Sequence, residues 1–269
     1  MYDPEAHPMP TILVGTDLTD GSRAAILRGA ELVRAGGGRL VVCHAAPKQL
    51  PINPLFPHET SESVAKAAGN EPRIIDAVTA QVVDATGLTS FDVVVDSGEA
   101  PDVLCVQAAR HRADLVIVSA DRPGLGAVAR DLSASPCSVL VLGASTGSAA
   151  AIVMLESEIA ELTSLIAAAR AVLLRPLPKI VVILWADSSE RKAPLLAELE
   201  RIGRSLGVPL EPWFTDVADP TALTRAASDP EIGLVALTAP RPDKIVEGRA
   251  SPLDDGLESA TASFLLMRR

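Results

Sequence analysis

The sequence predicts an α/β fold in two tandem, doubly wound domains, and three observations lead to this prediction. Short β-branched runs alternate with segments of helical period, which is the pattern of strands joined by helices. The strand-like runs are apolar on both faces, as expected for strands covered by helices on both sides. The alternation occurs twice within the 269 residues, a length that fits one large domain or two ordinary ones.

The first copy of this pattern begins at residue 11. Its first helix has an apolar stripe at helical spacing, formed by Ile26, Leu27, Ala30 and Val33. The glycines at 36–38 end this helix, because glycine tolerates the left-handed backbone that follows a helix. The predicted elements are strand 11–17, helix 22–35, strand 39–45, helix 71–86, strand 91–96, helix 101–112, strand 115–119 and strand 138–143.

The second copy follows the same order. Residues 151–157 resemble residues 11–17 at an offset of 140, whereas residues 233–242 align with residues 114–123 at an offset of 119. Two constant offsets imply one insertion in the first copy, which falls at about residues 48–70. The predicted elements are strand 151–156, helix 158–174, strand 180–185, helix 190–206, strand 210–215, helix 220–227, strand 233–238 and strand 263–267.

The repeat also predicts where the domains begin and end. The first domain spans residues 1–145 and the second spans residues 150–269, with the Gly- and Ser-rich residues 143–148 as the linker. The insertion at 48–70 contains three prolines around apolar residues. Such a composition predicts an ordered flap or a partner-docking loop rather than a linker.

Composition and charge exclude several classes of function. The net charge of −10 disfavours a nucleic-acid or anionic-membrane surface, and the aromatic content of 3% leaves little for base stacking. No apolar run reaches the ~18 residues of a membrane helix, and the first residues lack the basic and apolar regions of a signal peptide. The three cysteines form no CxxC pair and the four histidines are dispersed, so no metal site is predicted. We expect a cytoplasmic protein without nucleic-acid or membrane partners.

Four short segments carry a resemblance to a known family. They are Val14-Gly15-Thr16-Asp17 with Ser22 opening the next helix, residues 41–45, residues 113–118 and residues 136–142. In this order and spacing they resemble the universal stress protein family over nearly the whole first copy, and the second copy resembles it mainly through the repeat. The resemblance implies a mainly parallel five-stranded sheet with helices on both faces in each domain. It also implies pairing of the two domains through their last strands, and a stress-response or regulatory role that is usually not catalytic.

The resemblance further implies a candidate nucleotide site. In family members that bind ATP, an aspartate at the end of the first strand contacts the nucleotide, and a Gly-x2-Gly-x9-Gly-Ser/Thr loop wraps the phosphates. Glycines are needed there because backbone N–H groups must approach phosphate oxygens without a Cβ in the way. Asp17 stands in the place of that aspartate, and Ala45 lies near the adenine-packing position. The candidate binding residues are Gly15, Thr16, Asp17, Ala45, Ser119, Arg122, Gly124, Gly126 and Ala127.

The phosphate loop of the first copy departs from the family pattern. Ser119 and Arg122 take the places of the first two glycines, and Ala127 replaces the hydroxyl residue at the end of the motif. The stretch between Arg122 and Gly126 is several residues shorter than the motif supplies. The loop is therefore expected to be too short to encircle a triphosphate.

The second copy departs further from the nucleotide-binding pattern. Residues 239–244 contain no glycine, and the prolines there remove backbone donors. Glu156 or Ser157 is expected at the position of Asp17. The predicted role of this copy is to cover the exposed sheet edge of the first domain, since an open edge invites aggregation.

Three functions follow, in order of expectation. The first is a non-enzymatic regulatory protein that acts through contacts with an unidentified protein partner, needs no cofactor and binds ATP weakly or not at all. The alternative is a stress switch that binds ATP or AMP with Mg²⁺ through the first domain only. The third is an adenine-nucleotide hydrolase of the same broad fold. The chain can act as a monomer that imitates the family's dimer, or form a homodimer through residues 48–70.

Two candidate residues near the first strand have a structural interpretation beside the functional one. Asp17 with Asp20 could form a carboxylate pair for acid–base chemistry, but a strand end followed by a helix cap from Asp20 or Ser22 is favoured. His44 either faces the crevice where open α/β sheets bind ligands or packs against its neighbours. Both interpretations of His44 are open at this point.

Overall fold

The computed structural model describes residues 9–46, 71–119, 131–185, 192–215, 221–238 and 261–268. The predicted insertion at 48–70 and most of the predicted phosphate loop lie outside these residues. Contacts within the chain define two units, residues 1–119 and residues 120–269. Both units alternate strands and helices with a mostly parallel sheet, so the predicted α/β class is confirmed.

The first unit is a parallel sheet with helices between its strands. Its elements are β1 (Thr11–Thr16), α1 (Asp20–Gly36), β2 (Arg39–Ala46), α2 (Glu71–Thr86), β3 (Asp92–Ser97), α3 (Ala100–His111) and β4 (Leu115–Ser119). The strand order is β3-β2-β1-β4, and every pairing is parallel. Leu13, Val41 and Ile117 of the central strands have no exposed surface. Strands that are apolar on both faces thus form the core of the unit, as parallel sheets require.

Helix α1 packs against the sheet through its smallest residues. Gly29 lies so close to β1 that a Cβ on it would be 2.6 Å from Val14 Cγ2. The buried face of the helix includes Ile26 and Ala30, whereas Leu27 is 38% exposed. The predicted apolar stripe is therefore right for Ile26 and Ala30 and wrong for Leu27, because the close approach at Gly29 decides which face meets the sheet.

The second unit contains the rest of the described strands. Its elements are β5 (Ser138–Leu142), β6 (Ala149–Leu155), α4 (Leu162–Leu173), β7 (Ile180–Trp185), α5 (Lys192–Leu206), β8 (Leu210–Thr215), α6 (Thr221–Ser228), β9 (Ile232–Thr238) and β10 (Ser263–Met267). The strand order is β5-β10-β9-β6-β7-β8, with only β5 antiparallel to its neighbour. The order β8-β7-β6-β9 repeats the order β3-β2-β1-β4 of the first unit, as the sequence repeat requires.

The division between the units falls before β5 rather than at the predicted linker. In the sequence repeat β5 is the last strand of the first copy, but it pairs with β10, where Leu140 lies opposite Leu265. The boundaries 1–145 and 150–269 follow the sequence repeat, and they stay a prediction. The density of contacts places β5, which pairs with β10, in the second unit.

Residues 143–148 connect β5 with β6 and are held firmly in place. The N–H of Ser145 donates to Thr261 O at 2.7 Å, and the Ser145 hydroxyl donates to Ile232 O at 3.0 Å. A Cβ on Gly143 would be 2.4 Å from Thr261 O. The segment links the two copies of the sequence repeat, and in the structure its hydrogen bonds and close backbone contacts fix its path.

Most element boundaries lie within two residues of the predicted ones. The exception is the predicted helix 158–174, which begins with a 3-10 turn at Glu156–Glu161 and becomes an α-helix at Leu162. Short 3-10 turns are frequent at helix N-termini, where the first N–H groups have no partner within the helix. In the part of the chain that the structure describes, no helix has both the length and the apolar character to cross a bilayer.

The strand registers define which residues of the two repeats are equivalent. Ile12 lies opposite Leu115 in the first unit, and Ala150 lies opposite Leu234 in the second. Leu115 and Leu234 already correspond in the sequence repeat, so Ile12 is equivalent to Ala150. The first strands are therefore shifted by two residues from the offset of 140. The apolar pattern did not reveal this shift, because moving a strand by two residues keeps each side chain on the same face.

Candidate functional site

Five of the predicted binding residues lie at the carboxyl edge of the first unit's sheet. Gly15 and Thr16 end β1 and Asp17 follows them, while Ala45 lies near the end of β2 and Ser119 ends β4. This is the edge at which open α/β sheets bind ligands. The remaining predicted residues, which lie outside the described part of the chain, are Arg122, Gly124, Gly126 and Ala127.

The turn between β1 and α1 is built from short polar side chains. Thr16 is buried, and its Oγ1 accepts the N–H of Leu18 at 3.1 Å. Leu18 has a φ of 66°, a left-handed conformation that costs a residue with a Cβ about 1 kcal/mol. Asp17 Oδ1 accepts the N–H of Thr19 at 3.0 Å and the Thr19 hydroxyl at 2.6 Å. Side-chain bonds to nearby backbone therefore hold the turn from which α1 begins.

The Asp17 carboxyl has a pKa below its ordinary value. Partial burial raises the pKa, but the hydrogen bonds from the hydroxyl and the N–H of Thr19, with smaller contributions from Ser22 and the Asp17 backbone, outweigh it. Because the folded pKa is the lower one, the ionised carboxylate stabilises the turn above the ordinary pKa. This stabilisation is lost as the pH falls through the folded pKa.

The prediction that the end of a strand is followed here by a helix is confirmed. The prediction that Asp20 or Ser22 caps that helix is wrong. Helix α1 begins at Asp20, directly after the turn, but its N-cap residue is Thr19 and makes no side-chain cap bond. Ser22 lies inside the helix, where its hydroxyl donates to Thr19 O at 2.9 Å. His44 is half-buried, and its Nδ1 lies 2.9 Å from Thr16 O. The structure therefore packs His44 against the end of β1.

Gln81 of α2 joins the same turn, although the sequence patterns did not single it out. The Thr16 hydroxyl donates to Gln81 Oε1 at 2.8 Å, and Gln81 Nε2 donates to Thr19 O at 3.0 Å. Gln81 lies on the helix face that buries Val78 and Val82. A polar residue on the apolar stripe of a helix was the available signal, because such a residue needs a hydrogen-bond partner in the core.

A second polar contact lies at the carboxyl end of β3. Gln107 of α3 is 2% exposed and donates from Nε2 to Asp96 Oδ2 at 2.7 Å, and Arg110 Nη1 lies 3.8 Å from the same oxygen. Asp96 lies opposite Ala45, the predicted adenine-packing residue. The carboxyl edge of this sheet thus carries carboxylates at the ends of both β1 and β3.

Cys43 of β2 is buried in the core beneath this edge, and the reactivity of its thiol reports whether solvent reaches the core there. Burial, and after it the charge of Asp96, raises the pKa of the Cys43 thiol to about 12. Because the thiolate is the reactive form, we expect Cys43 to resist iodoacetamide at about pH 8 in the folded chain and to react in denaturant. Peptide mass spectrometry after pulse labelling measures this difference. Rapid labelling of Cys43 in the folded chain would contradict the expectation.

The polar turn is not repeated in the second unit. By strand register, Met154 is equivalent to Thr16 and Leu155 is equivalent to Asp17. Met154 is 1% exposed. The expectation of an acidic or hydroxyl residue from positions 156–157 at this place is wrong, because the first strands are shifted by two residues. Apolar residues therefore replace the polar pair in the second repeat.

The described groups at this edge are carboxylates and short polar side chains. The exposed Asp17 carboxylate can accept a hydrogen bond from a hydroxyl or amine group. Asp96 lies at the same edge, where Arg110 Nη1, 3.8 Å from its Oδ2, offsets part of its negative charge. Among the described residues, no group of three or more His, Cys, Asp or Glu side chains is placed to hold a metal ion.

Comparisons with known proteins agree with this architecture. Two solved structures resemble nearly the whole chain at 13% identity and a TM-score of 0.62. One is a universal stress protein from Archaeoglobus fulgidus DSM 4304, with 96% of each chain covered. The other is a protein from Pseudomonas aeruginosa UCBPP-PA14 named for the same family, with 97% of this chain and 94% of that chain covered. At this identity the likeness shows the fold alone.

The sequence comparisons identify the family. No curated protein matches the chain significantly in sequence. A sequence profile of the Universal stress protein family matches residues 9–143, which is half of the chain. This match covers the segments that carried the resemblance in the first copy, and it confirms that resemblance. The chain belongs to the universal stress protein family.

Proposed function

We propose that this chain is a non-enzymatic regulatory protein of the stress response, which acts through contacts with a protein partner and binds ATP weakly or not at all. Membership of the family supports the stress-response role. The finer proposal rests on one observation: the polar groups of the candidate turn already bond to one another. Asp17 Oδ1 accepts hydrogen bonds from the N–H and the hydroxyl of Thr19. The Thr16 hydroxyl accepts the N–H of Leu18 and donates to Gln81 Oε1. A nucleotide would have to compete for Asp17 Oδ1 and for the Thr16 hydroxyl, which lowers its affinity.

The difference between the repeats limits the number of sites. Leu155 and Met154 stand where the first repeat has Asp17 and Thr16. Neither side chain can accept the hydrogen bonds of a ribose or an adenine as a carboxylate does. Any nucleotide site is therefore proposed for the first repeat alone, at no more than one per chain.

We also infer that the two repeats pair through their last strands, which would let one chain imitate a dimer of the family. The antiparallel pairing of β5 with β10 supports this, with residues 139–141 opposite residues 264–266. These six residues are all buried. Pairing of this kind covers strand edges that would otherwise be open to association. A further homodimer stays a prediction.

Calorimetric titration with ATP and Mg²⁺ tests the proposal, after absorbance has shown that no nucleotide was carried through purification. We expect no saturable heat at micromolar ATP, because the turn is satisfied internally and the phosphate loop is short. Saturable binding at micromolar Kd would overturn the proposal. Release of inorganic phosphate by concentrated protein with ATP and Mg²⁺ would overturn its non-enzymatic part and revive the hydrolase hypothesis.

The alternative, a switch that binds ATP or AMP through the first repeat, is favoured by the exposure of Asp17 at the sheet edge. In that case Asp17→Ala should abolish nucleotide binding. Asp20→Ala is the matched control, because Asp20 is also an exposed carboxylate and lies three residues away in α1. Equal loss of binding in both variants would indicate a general charge effect rather than a site at Asp17.

A further inference from the structure

We propose that Gln81 is a positioning residue for Asp17: its side-chain amide ties helix α2 to the β1–α1 turn and so fixes where the carboxylate lies at the sheet edge. The inference rests on the proposed function only in treating this turn as the one that faces a ligand. Its evidence is the hydrogen-bond geometry of the turn itself.

The orientation of the Gln81 amide follows from its two partners. Thr19 O can only accept a hydrogen bond, so the amide atom 3.0 Å from it must be the nitrogen. The Thr16 hydroxyl lies 2.8 Å from the other amide atom and donates to it as Oε1. A flipped amide would place two acceptors against each other at Thr19. Gln81 is therefore complementary to the turn at both of its polar atoms.

The contact passes from Gln81 to Asp17 through a single residue. Gln81 Nε2 holds the carbonyl of Thr19, while the N–H and hydroxyl of the same Thr19 both donate to Asp17 Oδ1. The Ser22 hydroxyl also donates to Thr19 O, and its oxygen lies 3.5 Å from Nε2, within reach of the second amide hydrogen of Gln81. Because Thr19 is held on its carbonyl side, its two donors stay aimed at the carboxylate.

The strained backbone of the turn makes this distant contact important. Leu18 has a positive φ, and such a residue persists only where its surroundings hold it. The bonds from Leu18 to Thr16 and from Thr19 to Asp17 are local, two residues apart. Gln81 lies 65 residues from Thr16 in the chain and brings in a separate helix. Without it, the turn keeps its local bonds and the contact of His44 with Thr16 O, but loses the contact from α2 to Thr19 and can relax away from its strained conformation.

The test compares Gln81→Met with Gln107→Met in the full chain. Methionine keeps the length of glutamine and removes both polar atoms. Gln107 is the matched control, because it is also a glutamine on the apolar face of a helix but donates to Asp96. Carboxyl NMR titration reports the pKa of Asp17, and amide hydrogen exchange reports the protection of Thr19. In Gln81→Met we expect the Asp17 pKa to rise toward its ordinary value and Thr19 exchange to accelerate by about tenfold.

A second pair of variants keeps the test decisive if Gln81→Met does not fold. Thr16→Val removes the hydroxyl that donates to Gln81 and accepts the Leu18 N–H, whereas Thr16→Ser retains both bonds. We expect Thr16→Val to raise the Asp17 pKa and Thr16→Ser to leave it at the wild-type value. A wild-type Asp17 pKa and wild-type Thr19 exchange in Gln81→Met, with a loss of stability equal to that of Gln107→Met, would reduce Gln81 to an ordinary packing residue. Neither readout uses a nucleotide, so an absence of ATP binding leaves this test intact.

Discussion

Gly233→Ala is expected to lower the free energy of unfolding of the second unit by about 3 kcal/mol. Gly233 lies in β9 at an irregularity in the register with β6, between the residues that pair with Ala149 and Ala150. A Cβ on it would be 2.0 Å from Gly147 O, an oxygen that also accepts a hydrogen bond from Arg175 Nη2. Because the obstacle is backbone of the fixed connection 143–148, no side-chain rotation can relieve the overlap.

Tryptophan fluorescence during denaturant unfolding measures this effect selectively. Both tryptophans of the chain, Trp185 and Trp213, lie in the second unit. Gly207→Ala is the control, since Gly207 has a φ of 62° with no atom within 4 Å of a new Cβ. We expect that variant to lose about 1 kcal/mol, the cost of left-handed backbone alone. A loss in Gly233→Ala no larger than this would show that the connection can move aside.

Phe264→Ala is expected to cost about 4 kcal/mol, because it removes a large, fully buried side chain from the strand that joins β5 to β9. The same truncation at Leu196, 39% exposed on α5, should cost about 0.5 kcal/mol or less. Chemical denaturation gives both values. Hydrogen exchange adds a local readout, since the amides of residues 139–141 should lose protection along with β10.

This experiment also tests the proposed pairing of the repeats through their last strands. Val141 lies opposite Phe264 in the antiparallel pair. If β5 kept its protection while β10 lost it, the two strands would be independent. The inferred pairing would then be wrong even if the total loss of stability were as large as expected.

Local patterns were sufficient for the elements and the family. The β-branched runs and helical stripes predicted nearly every strand and helix, because periodicity depends on neighbours along the chain. The segments around Asp17, residues 41–45 and residues 113–118 carried the family resemblance, and the match over residues 9–143 confirmed it. For the candidate site, the same patterns found the ends of β1, β2 and β4 but missed Gln81.

Contacts between distant segments decided the rest. The two-residue shift between the first strands, the pairing of β5 with β10 and the fixed path of residues 143–148 each depend on which backbone lies beside which. Gln81 and Thr16 are hydrogen-bonded although they are 65 residues apart in the chain. The only sign of this bond in the local sequence is a polar residue on the apolar face of a helix. Periodicity states which side of an element is buried, whereas register and partner choice arise only when elements pack together.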